Sequence, residues 1–353
     1  MERNTTLHKE NRPSMMDVAR LAGLSKTTVS YVLNNNPRVT EDTKARVLEA
    51  CERLGYRINT NIQDFVRSTI SQTTRNIALV FVGRDFADPA YARLVDGIAK
   101  GTEENNYHLL FAKLSGEESG VMDLPPILRD GRVDGMLISG VLNPGVMNVL
   151  RALEIPGVIL GSYSHDITRD FFAVECDMGA GIHRVIEHFA KLGKTRIAYF
   201  SETLDYYSDR QNLLSFKDAL LAYGLKFDQG SVYVGSGDFS GALQIMTPIF
   251  EGQELPFDAL YCNDFRCSVE ISHLAMARSW MNKEPSIILG TTRTFAYHKL
   301  PVPAVYLDTV SWEVSYQASI KLLDSISQGE RYHPGSLRLS PTIDVDAVPV
   351  IKA

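Results

Sequence analysis

The sequence predicts a multidomain chain in which a small all-α headpiece precedes a two-lobed, doubly wound α/β core. Three observations predict it. The chain has 353 residues, more than one ordinary hydrophobic core organises. Residues 13–58 repeat apolar side chains at helical spacing between capping signals. From Asn76 the pattern changes to short apolar runs separated by helical stretches.

The headpiece reads as three short helices. Pro13 and Ser14 open the first, with Ser14 and Asp17 at capping-box spacing; Val18, Leu21 and Ala22 form its apolar side, and Gly23 ends it. Ser25 caps the second helix at once, and so tight a turn forces the two helices to cross steeply, as in a helix-turn-helix. Val29, Val32 and Leu33 face inward on the second helix, while Lys26, Thr27, Ser30, Tyr31 and Asn34 form a polar side rich in hydrogen-bonding groups. A third helix starts at Thr40, buries Val47, Cys51 and Leu54, and stops at Gly55. A generic three-helix bundle with a solvated polar side fits the same pattern.

In the core, strands are predicted at 77–82, 108–114, 135–140, 157–162, 196–201, 231–234, 259–262 and 286–290. Helices are predicted at 89–105, 178–192, 208–223, 241–251, 266–281 and 311–328. Continuous apolar strands alternating with helices imply buried parallel sheets. About 280 residues of this pattern exceed one sheet, hence two lobes.

Charge is distributed unevenly. Residues 1–72 hold 11 Lys and Arg against 8 Asp and Glu, and the remainder 25 against 34, so a mildly basic module precedes an acidic body. Hydrophobic residues at 44% and charged residues at 22% are ordinary for a globular protein. Cys51, Cys176, Cys262 and Cys267 are spread without zinc-ligand spacing and are expected to be reduced, mostly buried thiols. The polar start MERNTTLHKENRPS and the absence of a membrane-length apolar run predict a cytoplasmic protein without membrane contact. No GxSxG, GxxxxGK[ST] or HExxH string occurs, and the eight histidines lack ligand spacing. No catalytic residue, metal or cofactor is therefore expected.

The string MMDVARLAGLSKTTVSYVLNNNPRVTEDTKARVLEACERLGYRIN resembles the headpiece of the LacI/GalR repressor family along its length, with DVAxLAGxSxxTVSxVLN and LGYxxN as its most specific parts. The resemblance continues in DPAYARLVDGI (88–98), RVDGMLISG (132–140), CDMGAGIHRVIEHFAKLGKTRIAYFS (176–201), GDFSGALQ (237–244) and ND (263–264). It implies a transcription regulator, a repressor, that binds a near-palindromic double-stranded operator as a homodimer under control of a small-molecule effector. It also implies a recognition helix in the major groove, with Lys26, Thr27 and Tyr31 reading base edges. Thr28, Ser30, Asn34, Thr43 and Tyr56 would hold phosphates, with Arg38 contacting DNA beside them. Many relatives carry Arg at the position of Tyr31, so an Arg–guanine fork is not available there. In the hinge, 59–75, the family's minor-groove wedge falls on Phe65. Ile58 in place of the usual proline, Asp64, and a segment longer than the norm are equally compatible with a polar tether.

For the core, 76–353, the resemblance implies two lobes like those of periplasmic binding proteins, crossed three times near 163–176, 293–305 and 331–340. The N-lobe is then about 76–163 and 305–332, and the C-lobe about 176–293 and 340–353. Ligands of such folds sit between the lobes, at the carboxyl ends of strands. Candidate effector residues are Asp85, Tyr91, Asp177, Phe239, Asn263 and Asp264, with Phe239 at the place of the family's aromatic platform. Asn212 stands where relatives carry an effector-gripping Arg, with Arg210 nearby. GTTR replaces the frequent GYDD, so Thr292 takes the place of a sugar-gripping Asp beside Arg293. These departures leave a carbohydrate or an anionic metabolite as the effector. A constitutive DNA-binding regulator and a solute-binding protein are the alternatives.

Overall fold

The computed structural model describes residues 14–33, 39–54, 73–84, 91–114, 124–237, 241–278, 287–293, 299–329 and 334–345. Two compact units divide the chain, residues 1–74 and 75–353.

In the first unit, α1 (Met15–Ala22) starts where the Asp17 carboxylate accepts from the Ser14 backbone N–H at 2.8 Å and from its hydroxyl at 2.6 Å. It ends at Gly23, whose φ of 65° lets the Leu24 N–H reach back to the Ala19 carbonyl at 3.0 Å. Then α2 (Lys26–Leu33) follows directly, with the Thr28 N–H donating to the Ser25 hydroxyl at 3.0 Å. Thr40 starts α3 (Glu41–Leu54) in the same way, accepting from the Thr43 N–H at 3.4 Å. Val18 and Ala22 of α1, Val29 and Val32 of α2, and Val47 and Cys51 of α3 close one small core. The Arg46 guanidinium donates to the Ala22 carbonyl at 2.8 Å, tying α3 to the end of α1. Leu21 corrects the sequence reading, because it is 41% exposed and Ala19 takes the inward place. Helices packed this closely admit small side chains at the contact.

The second unit contains two six-stranded sheets. The first holds β1 (Asn76–Val82), β2 (His108–Leu114), β3 (Gly135–Gly140), β4 (Gly157–Leu160), β5 (Phe172–Cys176) and β11 (Gly335–Leu339), in the order β2-β1-β3-β4-β5-β11 and all parallel. The second holds β6 (Ile197–Ser201), β7 (Val232–Val234), β8 (Ala259–Cys262), β9 (Ile288–Arg293), β10 (Ala304–Asp308) and β12 (Thr342–Val345), in the order β7-β6-β8-β9-β10-β12. There the β10–β12 pair is antiparallel and the others are parallel. The inner strands of both sheets are buried on both sides. In β1, Ala78, Val80 and Val82 enter one apolar cluster while Ile77, Leu79 and Phe81 enter another.

Helices cover both sides: α4 (Ala92–Glu104), α5 (Pro144–Ala152), α6 (Met178–Lys191), α7 (Tyr207–Ala222), α8 (Gly241–Phe250), α9 (Phe265–Ala277) and α10 (Ser311–Gln328). Gly97 of α4 lets α10 approach so closely that a Cβ there would lie 2.3 Å from the Trp312 carbonyl oxygen. The lobe boundaries differ from the sequence reading. β5 extends the first sheet to Cys176, so the first crossing lies between β5 and α6 rather than from 163. β10 pairs with β9 in the second sheet, which moves the second crossing from 293–305 to the segment between Asp308 and Ser311. The third crossing joins β11 to β12, after Leu339. A buried apolar strand looks the same in either lobe, so periodicity does not assign it to a sheet.

Candidate functional site

Helix α2 presents a divided surface. Val29 and Val32 are buried, while Lys26 and Thr27 are exposed and Tyr31 is 50% exposed. The Thr28 hydroxyl lies 2.8 Å from that of Ser25, within the cap, so this side chain is engaged locally. Ser30 is half-buried, and the Thr43 hydroxyl sits 2.9 Å from that of Thr40 at the start of α3. Asn34, Arg38, Tyr56 and Phe65 lie outside the described residues.

In each sheet the strand order reverses direction beside its first strand, between β1 and β3 and between β6 and β8. In doubly wound sheets such switch points open a crevice at the carboxyl ends of the strands. At the first, Gly140 (φ 121°) closes on β1, with Val141 N–H donating to the Val82 carbonyl at 2.8 Å. The Tyr163 hydroxyl donates to the Gly140 carbonyl at 2.7 Å, and burial raises its pKa. Tyr91 packs edge-on against Phe81 with ring centroids 4.5 Å apart. Arg84, two residues beyond β1, places its guanidinium carbon 4.9 Å from the ring centroid of Tyr206, just before α7, and so reaches the other lobe.

At the second switch point three side chains form a hydrogen-bonded row. The Asn212 amide donates to the Asn263 carbonyl oxygen at 2.9 Å, and the Asn263 amide donates to Asp209 at 3.0 Å. Ser201, at the end of β6, lies 3.5 Å from the same amide. Burial raises the Asp209 carboxyl to about 6, against the opposing effects of the Asn263 hydrogen bond and the Arg84 charge. Beside this row the buried Glu202 accepts from the Gly237 N–H at 3.0 Å and the Cys267 thiol at 3.3 Å. A Cβ at Gly235 would meet its carboxylate at 2.7 Å, so the glycine-rich loop is folded onto Glu202. Phe239, at the far end of that loop, lies outside the described residues, as does Asp85.

The structure thus joins Asn212 to Asn263 directly and gives Asp177, Asp264, Arg210 and Arg293 separate partners. Asp177 caps α6 by accepting from the Ala180 N–H at 3.0 Å, and Asp264 caps α9 by accepting from the Arg266 N–H at 2.8 Å. Arg210 donates to the carbonyls of Leu204 and Asp205 at 2.8 and 2.6 Å, bracing the loop before α7. Arg293 pairs with Asp344 of β12 at 2.8 Å and lies over the Tyr306 ring, 5.2 Å from its centroid. Thr292 beside it is half-buried. Sequence reasoning missed Arg84, Ser201, Glu202, Tyr206 and Asp209. For Arg84, Ser201 and Glu202 the available signal was their place at or just after the ends of β1 and β6.

The helices of the headpiece coincide with the match to the family model described as "Bacterial regulatory proteins, lacI family", which covers residues 14–59. Among curated proteins, the chain is 32% identical over 181 residues to the HTH-type transcriptional regulator RegA of Clostridium acetobutylicum, an alignment spanning 51% of this chain and about half (52%) of RegA. It is 28% identical to the HTH-type transcriptional regulator GalR of Escherichia coli over 70% of each chain. The Ribose operon repressor of Escherichia coli is 27% identical over 71% of this chain and 74% of its own. Among solved structures, the Lac repressor dimer bound to operator and the anti-inducer ONPF superposes with a TM-score of 0.69 at 17% identity, covering 95% of this chain and 98% of that one. The transcriptional regulator CelR–cellobiose complex gives 0.63 at 22%, covering 95% and 99%. These structures share the fold. Among the described residues, no helix is long and apolar enough to cross a membrane. Residues 14–59 thus match the lacI family of bacterial regulatory proteins, and the chain is similar over about 70% of its length to DNA-binding transcription regulators.

Proposed function

We propose that the protein is an effector-controlled repressor that reads a near-palindromic operator with α2 as a homodimer. The observation that carries this reading is the divided surface of α2, whose apolar side is buried while Lys26, Thr27 and Tyr31 face solvent. Side chains at the start of a recognition helix reach base edges in the major groove. One such helix covers few base pairs, so useful specificity requires two half-sites related by the dimer axis. Tyr31 offers a hydroxyl and a flat apolar ring in place of a guanidinium, which favours a base other than the guanine an arginine would select. The phosphate-holding roles of Thr28, Ser30, Asn34, Arg38, Thr43 and Tyr56, and the wedge role of Phe65, belong to this proposal. The cytoplasm, where operator DNA resides, is the compartment it requires, and no catalytic step is part of it.

The effector is proposed to bind between the lobes, against the row Asn212–Asn263–Asp209 on one side and the Arg84–Tyr163 region on the other. Polar groups converging at a crevice between lobes suit a small ligand. Selection of sites from random DNA with the full chain should return an inverted repeat. Recovery of one asymmetric site, or no enrichment, overturns the reading. The mutual hydrogen bonds of Asn212, Asn263 and Asp209 also suit a constitutive regulator whose cleft is satisfied without ligand. Operator affinity that no small molecule changes would favour that second reading.

A further inference from the structure

We propose that Arg84 is the anion-selecting residue of the cleft, and that the effector carries a small oxyanion, a carboxylate or a phosphate, which this guanidinium holds. The proposal rests on the reading of the interlobe cleft as the effector site. Arg84, Arg210 and Arg293 lie close to strand ends or loops of the core in this region, and their surroundings differ. Arg293 is 11% exposed at its side chain and its edge is paired with Asp344. Arg210 donates to two backbone carbonyls of its own loop. Arg84 instead meets the Tyr206 ring with the guanidinium carbon 4.9 Å from the centroid, and among the described residues it forms no ion pair. A guanidinium carries five N–H donors in its plane, and packing against an aromatic ring does not use them.

The opposite wall explains the need for this charge. Where the resemblance places an effector-gripping guanidinium on α7, this chain has Asn212, already hydrogen-bonded to Asn263 at 2.9 Å. The Asp209 carboxyl stays raised to about 6 although the Arg84 charge acts to lower it, so the two groups sense each other without pairing. An oxyanion placed between the lobes would bring Arg84 a bidentate, charge-assisted partner that a neutral polyol cannot offer. It would also sit across from Asn212 and Asp209, which remain to engage hydroxyl or amine groups on the same ligand. Arg84 reaches from one lobe to Tyr206 of the other, so an anion held by it would sit at the seam between the lobes.

The test uses the full chain, with inorganic phosphate and acetate as probes and sodium chloride holding ionic strength constant. Saturable stabilisation in a thermal-shift titration is expected for one of the two oxyanions and not for chloride, and which one responds identifies the source of the group. Arg84→Gln should weaken the apparent affinity about tenfold or more, as removal of one charge-assisted bidentate pair requires. Arg84→Lys should fall between the two, because an ammonium keeps the charge and loses the fork. Arg129→Gln should leave the affinity within about twofold, since this surface arginine pairs with Asp130 before β3, away from the strands' carboxyl ends. Unliganded melting of each variant is recorded alongside, so that loss of fold is not read as loss of binding. Equal affinity of the parent and Arg84→Gln, including phosphate captured by the headpiece, overturns the proposal, as does a parent that responds to neither oxyanion. Saturable stabilisation by the neutral sugars ribose or cellobiose, undiminished in Arg84→Gln, overturns the oxyanion while leaving the cleft reading standing. Operator selection with the same preparations reports separately on the regulator itself.

Discussion

The headpiece and the interlobe cleft treat polar side chains in opposite ways. On α2, Lys26, Thr27 and Tyr31 are left in solvent while two valines on the same helix are buried. In the cleft, Asn212, Asn263 and Asp209 bond to one another, and Glu202 is buried against a thiol and a backbone N–H. The difference follows from the size of the partner. A duplex brings its own hydration and a large surface, so donors that read it can wait in water. A crevice around a small molecule is partly desolvated before anything enters, and an unpaired polar group there costs free energy. A groove-reading surface is therefore preformed by what the helix leaves out, whereas a ligand cleft is preformed by what its residues do to each other.

The largest expected effect concerns the rigidity of the core. Gly97→Ala would place a Cβ 2.3 Å from the Trp312 carbonyl oxygen, which no rotamer change relieves. The seam between α4 and α10 must open, at a cost of about 3 kcal/mol. Denaturation of the full chain should show a weakened core transition with the headpiece transition in place. An unchanged core would mean the seam is soft and the contrast with the headpiece is overdrawn.

Next come the proposed base readers. Lys26→Ala and Tyr31→Ala should each relax preference at particular positions of both half-sites, by about 1–3 kcal/mol for each well-formed base-edge interaction removed. Site selection from random DNA measures it. Preferences identical to the parent would show that the exposed side of α2 is only a solvated surface.

A smaller effect separates cap from reader. Ser25→Ala removes the acceptor of the Thr28 N–H, and headpiece stability should fall by about 1 kcal/mol. Base preferences should not move, which a melting curve and a selection together check. Altered half-site letters would place Ser25 among the groups that touch DNA.

The smallest effect is a pH dependence in the cleft. Asp209 is surrounded by Asn263, Arg84, Asp264 and Arg210, and its folded carboxyl is raised to about 6 from 3.8 by burial. The folded state holds this proton more tightly than the unfolded chain does. The stabilisation from the protonated form is therefore complete below the unfolded value and is lost as pH rises through about 6. Asp209→Asn keeps an acceptor for Asn263 and should flatten that dependence, raising stability at neutral pH by less than about 1 kcal/mol after solvent screening. A variant that titrates as the parent does would remove Asp209 from the polar row.

Much of the architecture was legible in the residues. The caps at Ser14, Ser25 and Thr40, the stop at Gly23 and the inward valines of α2 are local matters, decided within one or two turns of helix. Strands such as Gly135–Gly140 and Ala259–Cys262 showed as unbroken apolar runs because both of their sides are buried. Phe172–Cys176 and Ala304–Asp308 were missed: in each, a charged residue, Glu175 or Asp308, breaks the apolar run near its end. Glu175 is paired with Arg338 at 2.6 Å and Asp308 with Arg93 at 3.1 Å, partners more than 150 positions away.

The same distance separates what the sequence determined from what tertiary structure decided. The sequence by itself determined the headpiece, with its match to the lacI family, and the alternation of strands and helices, because these rest on neighbours along the chain. Tertiary structure decided which sheet β10 joins, that the Arg84 guanidinium packs on the Tyr206 ring, and that Asn212 bonds to Asn263. Those outcomes depend on desolvation and on partners brought together by folding. Spacing along the chain carries no record of either.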